Sequence, residues 1–242
     1  MGAGMISDFT VRHHTTIGST NDEARRLAAT GAPSGTVVLA DEQTAGRGRW
    51  ARRWYSPPGN LYMSILLRTG EPVARTAELG FVTAVVVAET VEALLPKTAH
   101  VQLKWPNDVL VDGAKISGIL VEQAEDAAIV GIGLNILHAP TVEAYRTTTI
   151  IAHGGVASVD WARNLLLERF RERVNLWQQD GFPPIRDLWI VRSSPIGSPI
   201  QVNCASPVCG RFAGMDHDGA LLVDTDAGRR RILAGEVLGV PA

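Results

Sequence analysis

Cysteine is nearly absent from this chain, with only Cys204 and Cys209 among 242 residues. That excludes a disulfide framework and a four-cysteine metal site. Both cysteines read as reduced thiols, a single bridge between them being the alternative. Surplus positive charge is missing too. The 23 Lys+Arg against 25 Asp+Glu leave a net charge of −2, which argues against a dedicated DNA or RNA binder. No uncharged run approaches the length needed to span a bilayer, and Met1–Arg12 lack the basic start and apolar core of a secretion signal. The histidines (His13, His14, His100, His138, His153, His217) are scattered without metal-ligand spacing. There is no Gly-x-Ser-x-Gly elbow, no Walker loop, no repeat and no low-complexity tract. What remains is the composition of a soluble globular protein, read as cytoplasmic and large enough for one large or two modest domains.

Helix and strand patterns alternate through the first two-thirds. Thr20–Thr30 predicts a helix, with Ser19 or Thr20 as cap, Asp22 and Glu23 in its first turn and Gly31 beyond its end. Thr36–Ala40 and Leu61–Leu67 read as buried strands. Val73–Leu95 has helical spacing and is closed by Pro96. Val101–Trp105 reads as a strand stopped by Pro106. Asp108–Val111 and Ile116–Glu122 flank the hairpin dipeptide Asp112-Gly113. Ile129–Ile136 is another strand, Ser158–Trp177 an amphipathic helix, and a shorter helix runs to Val191. After Pro195 the pattern becomes short strands with Gly/Asp turns and no helix: Gly197–Cys204, Gly210–Met215, Ala220–Thr225 and Arg230–Ala234. This predicts a first domain over 1–194 and a small all-β barrel over 195–242.

The chemistry concentrates in four places. Residues 42–60 place Arg47, Arg49, Arg52 and Arg53 within seven positions, interleaved with Gly46, Gly48, Trp50 and Trp54. Glycine lets a ligand approach the main chain, and arginine supplies a planar donor fork for carboxylate or phosphate. Strand-like runs on both sides pin the segment as a loop suited to a small anion with a flat apolar part. The bland alternative is a solvated basic run. Lys104-Trp-Pro-Asn-Asp brings Asn107 and Asp108 to a sheet edge, where they could read a nucleotide or hold a cation, or simply satisfy a turn. Lys115-Ile-Ser-Gly puts an ammonium at the head of an apolar strand beside Gly118, unless it is an exposed hairpin lysine. Ser19-Thr20-Asn21 is at minimum a helix cap. Gly131-Ile-Gly-Leu-Asn135 lacks the G-x-G-x-x-G pattern of a dinucleotide fold.

Taken in order, these motifs, together with Ser-Pro-Pro-Gly-Asn-Leu-Tyr at 56–62, resemble the biotin protein ligases. The resemblance covers nearly the whole chain. Gly210, Gly219-Ala-Leu-Leu-Val and Gly235-Glu236-Val237 look like that family's SH3-like C-terminal domain. It implies an α+β fold, a class II synthetase-like mixed sheet with flanking helices followed by the SH3-like barrel. It also implies a two-step reaction: biotin and ATP give biotinyl-5′-AMP and pyrophosphate, and a lysine of the biotin carboxyl carrier protein then takes the biotinyl group. ATP and Mg²⁺ are the implied co-substrate and activator.

By the same resemblance, Ser19, Thr20, Asn21 and Gln43 bind the ureido ring and body of biotin. Gly46, Arg47, Gly48 and Arg49 form the loop over the activated carboxylate, with Arg49 nearest the phosphate. Lys115 holds the carboxylate and α-phosphate charge, and Gly118 allows close backbone approach. Arg52, Trp54, Asn107, Asp108 and Asn135 belong to the nucleotide side, with no metal ligand assigned. The loop is expected to be mobile when empty and to order on binding. Trp50-Ala51 departs from the family pattern, which has Arg or Lys and then Gly. Ser19 lies so near the start that no winged-helix domain is expected ahead of it, so the chain is expected to act as a ligase without binding DNA. A homodimer through an exposed sheet edge is compatible with the fold. The rivals are a lipoate ligase or octanoyltransferase, a biotin-sensing regulator and a generic nucleic-acid module.

Overall fold

The computed structural model describes residues 8–70, 73–124, 126–156 and 158–238; the first seven residues of the Met1–Arg12 segment and the last four of the C-terminal unit lie outside them. Among the described residues, twelve strands and five α-helices follow in the order β1 Thr10–Ile17, α1 Thr20–Ala29, β2 Thr36–Gln43, β3 Leu61–Leu67, α2 Val73–Thr76, α3 Glu78–Leu94, β4 Val101–Lys104, β5 Asp108–Val111, β6 Ala114–Ala124, β7 Ala127–Leu134, α4 Val159–Asp180, α5 Pro183–Ile190, β8 Pro199–Asn203, β9 Val208–Met215, β10 Leu221–Thr225, β11 Gly228–Ile232 and β12 Glu236–Leu238. The first seven strands form one mixed sheet ordered β1-β2-β3-β7-β6-β5-β4. Only β1 and β2 pair in parallel. The last five form a separate antiparallel sheet, β11-β10-β9-β8-β12. Among the described residues no helix is long and apolar enough to cross a membrane.

Side chains alternate across a strand, and that period sorts the large sheet into two faces. Met63 and Ile65 of β3 with Val130 and Ile132 of β7 point into the main core, against α3, α4 and α5. The opposite face carries Leu66 and Ile129, covered by Ala24, Leu27 and Ala28 of α1. Beyond the N-terminus of α1 no helix among the described residues covers this second face. There the chain places Gly118, Gly131 and Gly133 in register on β6 and β7: Gly118 opposes Gly133, and Leu120 opposes Gly131. Glycine backbone makes up much of the surface there.

Most elements lie where the hydrophobic pattern predicts them. Asp112 (φ 48) and Gly113 (φ 73) both adopt the left-handed turn that Asp-Gly favours. α1 is capped by Ser19, whose hydroxyl accepts from the Asp22 N–H at 3.4 Å. The expected helix over Val73–Leu95 is broken at Ala77 into α2 and α3. β1 and β12 were not predicted. β1 is mostly exposed and polar, with Arg12, His13 and His14 in a row, so its apolar period is absent and its pairing with β2 defines it. Both cysteines are free thiols.

The two sheets are joined by a specific contact. Trp105 donates its indole N–H to Gly219 O at 3.1 Å. Gly219 (φ +88) lies against Phe81 so closely that a Cβ there would enter the ring. This seat brings the start of β12 over the loop between β2 and β3.

Candidate functional site

The glycine floor, with Asn21 packed on Gly131 and Trp54 on Gly118 and Gly133, is the base of a cleft. Its wall includes Ser19, Thr20, Asn21, Gln43, Arg47, Gly48, Arg49, Arg52, Trp54, Asn107, Asp108, Lys115 and Gly118. One fold thus brings together thirteen of the fifteen residues singled out in the sequence. The other two lie nearby. Gly46 sits at the neck of the arginine loop, where a Cβ would be 2.6 Å from Ser56 Oγ and 2.8 Å from Trp54 O; its carbonyl accepts from the Trp54 N–H at 2.9 Å. Asn135 is buried and donates to Thr148 O at 3.1 Å, on the wall of an adjoining hollow with Tyr55, Val142 and Tyr145.

The inner end of the cleft is polar and neutral. Gln43 Oε1 accepts from the Thr20 N–H and hydroxyl at 2.9 and 3.1 Å. The Gln43 amide donates to Ser56 Oγ at 3.1 Å. Ser64, wholly buried on β3, lies 2.8 Å from Thr20 Oγ1 and 2.6 Å from Asn21 Oδ1. The Asn21 carboxamide rests on Gly131, where any Cβ would collide with it. Donors and acceptors alternate here without a formal charge, which suits a small cyclic amide or urea.

The outer end is cationic. Lys115 is wedged between β6 and the segment after β7: its N–H donates to Arg146 O at 2.8 Å and its carbonyl accepts from the Thr148 N–H at 2.9 Å. Its ammonium is 2.6 Å from Asp108 Oδ1, 5.5 Å from the centre of the Trp54 ring and 5.4 Å from that of Tyr145. Asp108 is buried and shares its second oxygen with Lys104 at 3.2 Å. Asn107 steadies this corner by donating to Ile119 O at 2.7 Å. Trp54 packs on Gly118 and Gly133, and its buried indole N–H has no hydrogen-bond partner among the described residues. Burial raises the Tyr145 phenol above its ordinary value, reinforced by Asp108, so it stays neutral at physiological pH.

Three of the four loop arginines have diverged. Arg47 turns away from the floor to Asp22 Oδ2 at 2.7 Å and Glu122 Oε2 at 3.1 Å. The hydrogen bond to Asp22 is the main cause that raises its guanidinium above the ordinary value. Arg52 is paired with Glu236 of β12. Arg49 donates to Gly235 O at 3.1 Å and, unlike Arg47 and Arg52, has no carboxylate partner among the described residues. Burial lowers it from its ordinary value, against the opposing pull of Glu236 and Asp108. It remains a cation, a poorly solvated one, and is therefore the loop group most in need of an anion. The Arg49 and Arg52 guanidiniums both pack on the Trp50 ring, 4.6 and 4.9 Å from its centre.

Reading the residues in isolation overlooked Tyr145, Ser64 and Glu122. Tyr145 sits in an irregular segment with no period. Ser64 is one polar residue in the wholly buried strand Leu61–Leu67; a hydroxyl fixed inside such a run was the available signal. Glu122 ends the strand predicted over Ile116–Glu122 but lies two residues inside β6.

Comparison with known proteins agrees with this geometry. Residues 14–136 match the Biotin/lipoate A/B protein ligase family, and residues 196–238 match the Biotin protein ligase C terminal domain. The chain is 37% identical to the biotin--[acetyl-CoA-carboxylase] ligase of Paracoccus denitrificans, over 90% of this chain and 96% of that protein. It is 35% identical to the bifunctional ligase/repressor BirA of Bacillus subtilis, over 93% of this chain and 72% of that protein. The biotin protein ligase of Aquifex aeolicus, solved in complex with biotin and ATP, superposes with a TM-score of 0.82 at 29% identity, over 94% of this chain and 97% of that one. With its glycine-floored cleft and its C-terminal sheet both matched, the chain belongs to the Biotin/lipoate A/B protein ligase family.

Proposed function

We propose that the chain is an ATP-dependent biotin protein ligase acting on the biotin carboxyl carrier protein of acetyl-CoA carboxylase or a related carboxylase. A biotin carboxylate oxygen attacks the α-phosphorus of ATP and displaces pyrophosphate, leaving biotinyl-5′-AMP. The deprotonated ε-amine of a carrier lysine then attacks the biotinyl carbonyl, and AMP departs with the electron pair of the acyl–oxygen bond. The observation that carries this reading is one cleft with a neutral hydrogen-bonding end at Thr20, Asn21 and Gln43 and a cationic end at Lys115 and Arg49.

The polar end takes the ureido ring, and the bicycle lies along the cleft beside Trp54, whose ring is itself packed on Gly118 and Gly133. Biotin's carboxylate then projects toward Lys115, whose ammonium offsets the repulsion between two anions and stabilises charge as it builds at phosphorus. Asp108 aims that ammonium. Arg49 takes the phosphate, and the closed loop keeps water from the mixed anhydride. Arg52, Trp54, Asn107, Asp108 and Asn135, with Tyr145, surround the nucleotide. The carboxylates on the cleft wall, Asp108 and Glu236, are each held by protein cations, so a Mg²⁺ would be carried in on the ATP phosphates rather than held in an all-protein cage. Among the described residues, the one cluster of three metal-capable side chains, Asp216, His217 and Asp218, lies elsewhere, with both carboxylates on Arg231. Residues 1–194 form the catalytic unit and 195–242 the unit that latches its loop, in a cytoplasmic enzyme. The free edge of β1 is the surface on which a homodimer would form by strand addition.

The test is transfer of labelled biotin to a biotin carboxyl carrier domain with ATP and Mg²⁺. Wild-type labelling that Lys115→Ala abolishes supports the reading. Labelling by lipoate in place of biotin overturns it.

A further inference from the structure

We propose that Glu122 is a positioning residue of the ligase site, acting through Asn21 and Arg47 rather than touching the reacting atoms. The proposal rests on the ligase reading above. From Gly118 the two-residue period of β6 carries Leu120 and Glu122 along the same cleft-side face. Glu122 therefore stands one step past the glycine floor, with its side chain about one-fifth exposed. It gathers three donors from two other elements. Asn21 Nδ2 donates at 2.6 Å, Arg47 Nη2 at 3.1 and 3.3 Å, and Arg25 Nη2 lies at 3.1 Å.

Each contact sets something the site needs. A carboxamide can turn its oxygen and nitrogen end for end. An acceptor-only carboxylate on one side and the Ser64 hydroxyl on the other leave Asn21 one orientation, oxygen toward Ser64 and nitrogen toward Glu122. Arg47 stands at the neck of the loop, bridged to Arg53. Gripped by Glu122 and Asp22, it anchors the loop to the sheet. The four charges Asp22, Glu122, Arg25 and Arg47 balance, so Arg47 is satisfied at the neck and Arg49 is left as the anion-seeking group. A distal carboxylate on β6 in this way fixes both the ring-reading amide and the base of the lid.

Glu122→Gln tests this with almost no change of shape. Its amide oxygen can accept from Asn21 or Arg47, but its NH₂ then meets the other donor. We expect the biotin KM to rise about tenfold and biotinyl-AMP to leave the site faster, with the ATP KM within about twofold of wild type. In an Arg47→Ala background the same substitution should add little to adenylate loss, because the shared contact is already gone. Trypsin cleavage within Arg49–Arg53 of the ligand-free protein should quicken in Glu122→Gln, a readout independent of biotin chemistry. An unchanged biotin KM, adenylate lifetime and cleavage rate would overturn the proposal, as would a fall in Tm as the sole effect. If wild type fails to label the carrier, the ligase reading fails, and the cleavage rate alone then decides whether Glu122 holds the loop.

Discussion

Arg52 and Glu236 form a two-pronged ion pair, Nη1 to Oε1 and Nη2 to Oε2 at 2.9 Å each, across 184 residues of sequence. Paired forks of this kind are geometrically specific. Here the fork ties the loop over the cleft to the first residue of β12, while Arg49 is held by the carbonyl next to it. The C-terminal sheet is in this sense part of the lid.

Glu236→Gln should therefore act on the lid more than on the fold. Arg52 is more than half exposed, and exposed pairs contribute only about 0–1 kcal/mol, so the midpoint of unfolding should barely move. The lifetime of preformed biotinyl-AMP should shorten several-fold. Raised salt should shorten it in wild type but much less in the variant, because screening removes only what the pair supplies. Dissociation of labelled adenylate at two ionic strengths measures both effects.

The departure at Trp50-Ala51 has a backbone consequence. Both residues are left-handed, with φ of 55 and 56, a region that costs a side-chain-bearing residue about 1–2 kcal/mol. Contact with two guanidiniums gives Trp50 something in return; the Ala51 methyl has no ring to make one. Ala51→Gly should relieve strain while adding freedom to the unfolded chain, terms that oppose each other at about 1 kcal/mol. Stability should stay within about 1 kcal/mol of wild type while the looser loop retains adenylate less well. A thermal melt beside an adenylate off-rate separates the two.

Elements with a local cause were legible in the sequence: α1 through its cap, the β5–β6 turn through Asp-Gly, and the buried strands through their apolar runs. The cleft was legible as a set of motifs because its residues cluster in short segments. What escaped is held by distant partners. β1 has no apolar period and exists by pairing with β2. Arg47 pairs with Glu122, 75 residues away, and nothing near Arg47 in the chain signals that partner. Tyr145 reaches Lys115 from a segment without regular structure.

Gly131 offers a steric test of the floor. A methyl group there would occupy the place of the Asn21 carboxamide, which cannot retreat because Ser64 and Glu122 hold both its ends. Gly131→Ala should raise the biotin KM by at least about tenfold and lower stability by about 1–3 kcal/mol, the range for forced overpacking. Gly228→Ala would separate strain from crowding. At that position φ is +104 and nothing lies within 4 Å of the added atom, so stability alone should fall while biotin binding stays at the wild-type level.

The carboxyl of Glu122 sets a pH dependence whose sign can be worked out. Burial pushes it up, but the Asn21 hydrogen bond and the charges of Arg47 and Arg25 outweigh burial and hold it below the ordinary glutamate value of 4.5. A carboxyl depressed in the folded state stabilises the fold above its unfolded pKa, and that contribution disappears as pH falls through the folded value. Wild type should therefore exceed Glu122→Gln in stability by a constant margin at neutral pH. The margin should hold down to about pH 5 and close as the solution is acidified below the ordinary glutamate range. Urea unfolding of both proteins between pH 7 and pH 3 measures it. A margin that widens on acidification would show that Glu122 is protonated more readily in the fold than in the unfolded chain, and that its three donors do not reach it in solution.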